Sequence, residues 1–307
     1  RMPMPRSWGG PEMSLRAQTE VVEALSSADP SVGWCVMIGS DGGYYSAFLD
    51  DAPGRELFPD LDAVTAGQLA PVGRAELIDG GYRLSGHWSF GSCSTHADVI
   101  AGGCFVFKGD KMVMRDDGRP DMRVVMAPAD RWQVLDTWHT TGLAGSGSND
   151  YTAEGLEVPT EHTFSLFDPC RRPGPLYSFA GLFTANMAGV ALGLARRAID
   201  EVKAIAETKL LMPELVLMKD TSRARTAIAR AEMAFGATRA YTYAALDQVS
   251  SQLERGNPLT PKERSALAMS RIHALHTARD IAMLMMDTAG AQSIYATSPL
   301  DRLARDA

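Results

Sequence analysis

Residues 86–94 read Gly-His-Trp-Ser-Phe-Gly-Ser-Cys-Ser, mixing aromatic and small hydroxyl side chains where a core-filling strand would carry Val, Ile or Leu. Trp88 and Phe90 can offer flat faces to a planar ring. Gly91 lets a ligand approach the backbone, and Ser92 and Ser94 can hydrogen-bond ring heteroatoms. The chemistry such a set serves is the binding of a planar heterocyclic cofactor. An aromatic-cornered strand that binds nothing is the competing reading, and the spacing leaves both open. A second run, Gly145, Ser146, Gly147 and Ser148, can cradle phosphates with backbone N–H groups or form a plain turn. It has neither the Walker nor the G-x-G-x-x-G spacing. His139 stands just before it, a candidate acid or base, or a structural hydrogen-bonding residue.

The elements that must position these residues follow from the patterning. Tyr82, Leu84 and Gly86 alternate with Arg83 and Ser85, predicting a strand that leaves a turn at Gly80-Gly81. Residues 64–75 read as a strand and loop of small residues containing Gln68, Ala70 and Gly73; Pro71 suggests an edge strand with a bulge. Residues 98–106, 122–128, 133–135 and 155–158 read as further strands, with an exposed hairpin at 108–121. Strands at this short spacing predict a sandwich or barrel. The first 63 residues read as helical. Ser14 caps a helix with Val21, Val22 and Leu25 on one stripe, residues 32–38 are apolar all round, and residues 39–43 break the pattern. After Pro159 helices return. Val190, Leu194, Ile199 and Val202 mark one, with Gly189 and Gly193 for close packing, and a second covers 221–253. Thr260-Pro261-Lys262-Glu263 starts a third, whose Met283, Met285 and Met286 read as core filler. A fourth begins after Tyr295, making an antiparallel four-helix bundle.

The chain has 307 residues, 45% hydrophobic and 22% charged, with a net charge of −7, enough for a large core and several domains. The acidic balance argues against nucleic acid or an anionic membrane as partner. No apolar run is long enough for a transmembrane helix. Cys35, Cys93, Cys104 and Cys170 show no C-x-x-C spacing, which argues against a disulfide framework or a metal site and for a cytoplasmic home. The opening Arg1-Met2-Pro3 and the helical pattern up to Ala307 suggest a chain incomplete at both ends, without a visible signal peptide.

The segment 86–94 resembles the middle-domain strand of the acyl-CoA dehydrogenase superfamily. It is closer still to its branch of two-component flavin monooxygenases that hydroxylate phenols, with the pattern G-x-W-x-F-x-S-G. Gly86, Trp88, Phe90 and Ser92 match, and Cys93 replaces the last Gly. Pro5, Gly9 and Gly10 match a P-x-x-x-G-G signature. Trp138, Gly142, Leu143, Gly145, Gly147, Ser148 and Asp150 match W-x-x-x-G-L-R-G-T-G-S-x-D, with Ala144 for Arg and Ser146 for Thr. Residues 289–302 match A-G-G-x-x-I-Y-x-x-S-P-L-x-R, with Ala291 for the second Gly.

The resemblance implies an α+β, acyl-CoA dehydrogenase-like fold. Its parts would be a helical N-terminal domain (1–63), a β-barrel or sandwich middle domain (64–160) and a C-terminal antiparallel four-helix bundle (161–307). It implies a flavin, FAD or FMN, with Phe90 against the ring, Gly91 beside it and Ser92 bonding near N5. Gln68, Ala70 and Gly73 would face the pyrimidine edge and phosphates, and Gly145, Ser146 and Ser148 the loop side. Gly290 and Gln292 would approach the ADP part of a flavin held mainly by a neighbouring subunit. Ser92 and His139 are the candidate catalytic residues. A homotetramer, a small-molecule substrate and a separate flavin reductase are further implications.

Dehydrogenases of the superfamily use a Glu after the last bundle turn and an Arg before the first bundle helix. Here no Glu follows Glu263, and the Arg position reads Leu182-Phe183-Thr184. Both point to the monooxygenase branch, in which a His is expected after Arg305-Asp306. An acyl-CoA dehydrogenase, and a degenerate scaffold that binds no flavin, are the alternatives. Trp34, Tyr44, Tyr45, Phe183 and Met187 fit an aromatic pocket or a core equally well.

Overall fold

Ile78 pairs with Gly81 across a two-residue turn, Asp79-Gly80, whose glycine sits at φ +76°. The turn is thus one residue earlier than Gly80-Gly81, because Asp-Gly suits a right-twisting hairpin. It joins β1 (Thr65–Ile78) to β2 (Gly81–Gly91). The other strands of its sheet are β3 (Val99–Lys108), β4 (Lys111–Met112), β5 (Met122–Pro128), β6 (Gln133–Val134), β7 (Asn149–Pro159) and β8 (Thr163–Phe164), and a separate two-stranded ribbon pairs β9 (Leu210–Leu211) with β10 (Val216–Leu217). Strands β1 to β8 form one eight-stranded sheet in the order β6-β7-β2-β1-β3-β5-β8, with β4 on β3. The β1–β3 pair is parallel and the other pairs are antiparallel.

Pro71 does lie in a bulge, since the β1–β3 register shifts between Gln68 and Gly73, but β1 is an interior strand and not an edge. The bulge takes Pro71 out of the ladder, so its missing N–H breaks no sheet hydrogen bond. The arch passes over Gly103, where an added Cβ would meet the Leu69 carbonyl oxygen at 2.2 Å. Under it Trp88, Tyr151, Ile100, Leu84 and Cys104 form the sheet's core.

The computed structural model describes residues 1–307, and their contacts gather into two compact units. The sheet belongs to the first, Arg1–Ser14, Cys35–His139 and Ser146–Phe183; the second is Leu15–Trp34, Thr140–Gly145 and Thr184–Ala307. The helices are α1 (Leu15–Ala28), α2 (Pro30–Gly39), α3 (Gly42–Tyr45), α4 (Asp51–Leu57), α5 (Ala188–Thr208), α6 (Ser222–Glu254), α7 (Pro261–Ala289) and α8 (Pro299–Asp306). None is long and apolar enough to cross a membrane.

In the helical unit α1 lies directly on α5. A Cβ at Gly193 would sit 2.4 Å from the Glu23 carbonyl oxygen, and one at Gly189 2.6 Å from that of Thr19, so both glycines serve close packing. α7 starts with the capping box of Thr260 and Glu263. α2 is buried or half-buried along its length except at Val32, which is 47% exposed. Two local expectations change. The helix does break after Gly39, but Gly42 and Gly43 themselves lie buried in α3, where a Cβ on Gly43 would meet the Pro3 backbone at 2.4 Å. Met283 is 48% exposed while Met285 is fully buried, because a helical step of two residues reverses the face.

α5 and α6 are tied by charge. Arg196 grips Glu232 with two bonds, Nη1 to Oε2 at 2.9 Å and Nη2 to Oε1 at 3.0 Å, and Lys203 also donates to Glu232. The Arg196 bonds, then the Lys203 contact, hold the Glu232 carboxyl down at about 2. A lowered carboxyl adds stability that is complete above its unfolded pKa of about 4.3 and is lost as pH falls toward 2. Glu232→Gln is expected to lower unfolding free energy at neutral pH by about 1 kcal/mol after allowance for solvent screening. At about pH 2 and below, variant and parent should converge in urea titrations, and a difference there equal to that at neutral pH would contradict the assignment.

Candidate functional site

Phe90, Gly91, Ser92, Ser146 and Ser148 meet at the end of β2. Phe90 leaves the strand at φ +62° and Cys93 follows at +68°, two non-glycine residues in left-handed backbone within one turn. Such a conformation carries strain of order 1 kcal/mol or more and persists only where surrounding contacts hold it. Those contacts are present. Ser92 N–H donates to the Phe90 carbonyl at 2.9 Å and Ser94 N–H to that of Gly91 at 3.0 Å. Cys93 N–H donates to the Ser146 carbonyl at 3.0 Å, joining the turn to the Gly-Ser loop. Gly91 must lack a side chain, because a Cβ would come within 2.7 Å of the Tyr151 ring.

Trp88 and Phe90 part company here. Trp88 is fully buried, stacked on Tyr151 with centroids 5.6 Å apart, and its Nε1–H donates to the Gly103 carbonyl at 2.8 Å. It is core and offers no face to a ligand. Phe90, two residues on, is 63% exposed and touches only the edge of Trp138 at 6.1 Å among aromatic rings. An exposed aromatic ring fixed in strained backbone is a ready stacking surface.

Beneath that turn lie the hydroxyls. Ser92, Ser146 and Ser148 are all buried, and their Oγ atoms form a row, Ser92 to Ser148 at 2.7 Å and Ser148 to Ser146 at 2.7 Å. The loop is therefore no floppy turn. Gly147 at φ +53° lets Ser146 and Ser148 point to the same side, and Asn149 holds the following strand by accepting from the Thr137 and Trp138 amides.

Gln68 stands on β1 opposite Gly102, and its backbone N–H donates to the Tyr151 hydroxyl at 2.7 Å. Tyr151 in turn donates to the Ala101 carbonyl at 2.7 Å, and burial pushes its phenol up. Ala70 is exposed on the bulge. Gly73 is buried where a Cβ would strike Trp88 at 2.1 Å, so its role is packing and not ligand approach. His139 does not join the serines: its side chain is 74% exposed and its Nε2 lies 3.7 Å from Asp136.

Gly145, Gly290 and Gln292 belong to the helical unit. Gly145 packs against Ser31, 3.0 Å from its Cβ to an added methyl. Gly290 caps α7 at φ +73°, beside Lys209, and Gln292 is exposed. In the same unit Leu143 N–H donates to Asp306 Oδ1 at 2.7 Å, and burial raises the Asp306 carboxyl.

Three residues near the turn escaped sequence reasoning. Asp41 is buried, and burial holds its carboxyl well above the usual range despite the Tyr45 hydroxyl 3.4 Å away. Cys35 and Cys93 face one another: the Cys93 thiol donates to the Cys35 carbonyl at 3.5 Å, and Cys35, then burial, push that thiol up. Tyr151 carried a signal, as an aromatic at an inward position of an alternating strand; Asp41 and Cys35 carried none.

The residues present fit a flavin by donor chemistry. The turn combines an exposed aromatic ring with buried hydroxyl groups.

Residues 185–307 match the family described as "Acyl-CoA dehydrogenase, C-terminal domain". The chain is 29% identical over 306 residues to an indole-3-acetate monooxygenase of Pseudomonas putida, covering 99% of this chain and 77% of that protein. Over 183 residues it is 31% identical to the oxygenase component of an FADH(2)-dependent resorcinol hydroxylase of Rhizobium sp., 58% of this chain and 43% of that protein. Among solved structures, 3-HSA hydroxylase from Rhodococcus sp. RHA1 superposes with a TM-score of 0.89 at 23% identity, over 99% of this chain and 80% of that one. XiaF from Streptomyces sp., in complex with FADH2 and glycerol, gives 0.88 at 24%, over 99% and 78%. At these identities the structural matches speak for the fold.

Proposed function

We propose that the chain is a member of the acyl-CoA dehydrogenase superfamily, on the branch of its flavin-dependent monooxygenases, and the oxygenase of a two-component system hydroxylating a small aromatic or apolar molecule. The reduced flavin, FAD or FMN, supplies two electrons to O2, so that one oxygen atom enters the substrate and the other leaves as water. Both flavins occur among the structural neighbours, as FADH2 in XiaF and FMN in KijD3.

The observation that carries this reading is Phe90, an exposed ring held in left-handed backbone directly before a buried hydroxyl row. Phe90 would stack on the isoalloxazine and Ser92 would hydrogen-bond it. Gly91 would admit the ring edge, and Gln68 and Ala70 would lie along its pyrimidine side. Gly290 and Gln292, in the helical unit, would approach the nucleotide part of a flavin held mainly by a neighbouring subunit. His139, exposed to solvent, would act from the rim of the site. A helical N-terminal domain, a β middle domain and a four-helix bundle assembled as a homotetramer in the cytoplasm complete the proposal, with a separate reductase delivering the flavin.

The test is anaerobic loading with reduced FAD, then reduced FMN, followed by rapid mixing with oxygenated buffer. A transient absorbing species distinct from both oxidised and reduced flavin is expected. Direct reappearance of oxidised flavin would overturn monooxygenation. Anaerobic bleaching of bound oxidised flavin by an acyl-CoA would instead identify a dehydrogenase, and no affinity for either flavin a scaffold.

A further inference from the structure

Cys35 and Cys93 lie 58 residues apart in the chain and meet at the turn that ends β2. The Cys93 thiol donates to the Cys35 carbonyl at 3.5 Å, and the Cys35 thiol donates to the Ser146 carbonyl at 3.8 Å. That same Ser146 carbonyl accepts the Cys93 N–H at 3.0 Å, so one oxygen anchors both residues. The two side chains also hydrogen-bond each other, and this contact, ahead of burial, raises the Cys93 thiol. Both are thiols and not a disulfide. Cys104 behaves otherwise: its thiol donates to the Gly102 carbonyl at 3.4 Å, and burial raises it.

Residue 93 is a costly place for a cysteine. Its φ of +68° is left-handed, where glycine sits without strain and any other residue is held against its preference. The two members of the pair differ in access. Cys93 is fully buried, whereas Cys35, on α2, is half-buried and is the one a small oxidant meets first. The thiolate is the nucleophile, so a buried thiol with a raised pKa attacks a dissolved oxidant slowly. Cys93 suits the second step instead, attack on an oxidised neighbour already in place, where fixed proximity offsets low acidity.

We propose that Cys35 and Cys93 are a modification site for hydrogen peroxide, closing to a disulfide that ties α2 to the turn after β2. In the first step the Cys35 sulfur attacks one peroxide oxygen. The O–O bond breaks, and the thiol proton leaves with the departing hydroxide as water. Cys35 is then a sulfenic acid. In the second step the Cys93 sulfur attacks the Cys35 sulfur. The S–O bond breaks, and the displaced hydroxide takes the Cys93 proton as a second water. Two electrons pass from the sulfurs to the peroxide, and no other reactant is needed. Reduced flavin oxidised without product releases the same oxidant, but the pair stands on its own geometry and not on the flavin reading.

The experiment treats the full chain, reduced and then cleared of reductant, with a small excess of hydrogen peroxide. Catalase stops the reaction, and the protein is unfolded at once in excess N-ethylmaleimide and mapped by mass spectrometry. Expected is the loss of two of the four alkylatable thiols, a Cys35–Cys93 linked peptide from a protein of single-chain mass, and full recovery with dithiothreitol. Cys104 and Cys170 should stay alkylatable. Cys93→Gly, which relieves the left-handed strain, keeps Cys35 but cannot close the bond, so peroxide should leave a Cys35 sulfenic acid that dimedone traps. Should Cys93→Gly not fold, Cys35→Ala takes its place, and Cys93 should then remain alkylatable after the same treatment. Four intact thiols in the treated parent, a link that involves Cys104, Cys170 or a second chain, or Cys35 oxidised past the sulfenic acid without a link would each overturn the proposal.

Discussion

Trp88→Ala is expected to destabilise the sheet unit by about 3 to 5 kcal/mol, the range for emptying a buried aromatic site. Trp88 has no exposed surface, stacks on Tyr151 and meets Trp132 edge-on at 5.4 Å. Glycines leave room for the indole, since a Cβ would approach it to 2.1 Å at Gly73, 2.7 Å at Gly86 and 3.0 Å at Gly102. Side chains therefore cannot collapse into the space from those directions, which places the loss at the upper end. The Gly103 carbonyl would also lose its Trp88 donor. Because Tyr151 leans on the same indole and receives the Gln68 N–H, the bulge of β1 should loosen with it. Denaturant titration reads the first effect, and faster amide exchange at Gln68 the second. A loss under about 1 kcal/mol would mean that the cavity is refilled and the packing account is wrong.

Ser92→Ala should act in the opposite manner, with little effect on the fold and a large one on turnover. Ser92 is buried and bonded to Ser148, so its removal is expected to lower stability by only about 1 kcal/mol. If its hydroxyl meets the flavin where charge develops, hydroxylation per bound flavin should fall on the order of 10²-fold, as when one oriented donor is removed. Reduced flavin would then be oxidised without product, and peroxide release should rise in step. A variant within twofold of the parent in product formed per flavin consumed would remove Ser92 from the chemistry.

The order of elements was legible because it rests on local rules. The Thr260-Glu263 capping box and the Gly189/Gly193 spacing are short-range signals that packing had no reason to overrule, while the hairpin read at Gly80-Gly81 turns one residue earlier, at Asp79-Gly80. The motif that carries the family likeness, Gly86 to Ser92, was likewise readable as a string. What the string could not do was divide labour inside it. Trp88 and Phe90 look alike in sequence, yet one is core and the other exposed, because the left-handed backbone at Phe90 ends the strand's alternation. The interior place of β1 came from a parallel partner thirty-odd residues away, and β1 tolerates Pro71 only because its bulge leaves the ladder. His139 drew attention by type and proximity along the chain but faces solvent. The serine row joins residues 56 apart in sequence, Ser92 and Ser148, and depends on Gly147 adopting positive φ. Residue types and local periodicity settle which chemistry is on offer and which elements form. Which hydroxyls touch, and which ring stays uncovered, depend on strand register and turn geometry, set by contacts between segments distant in the chain.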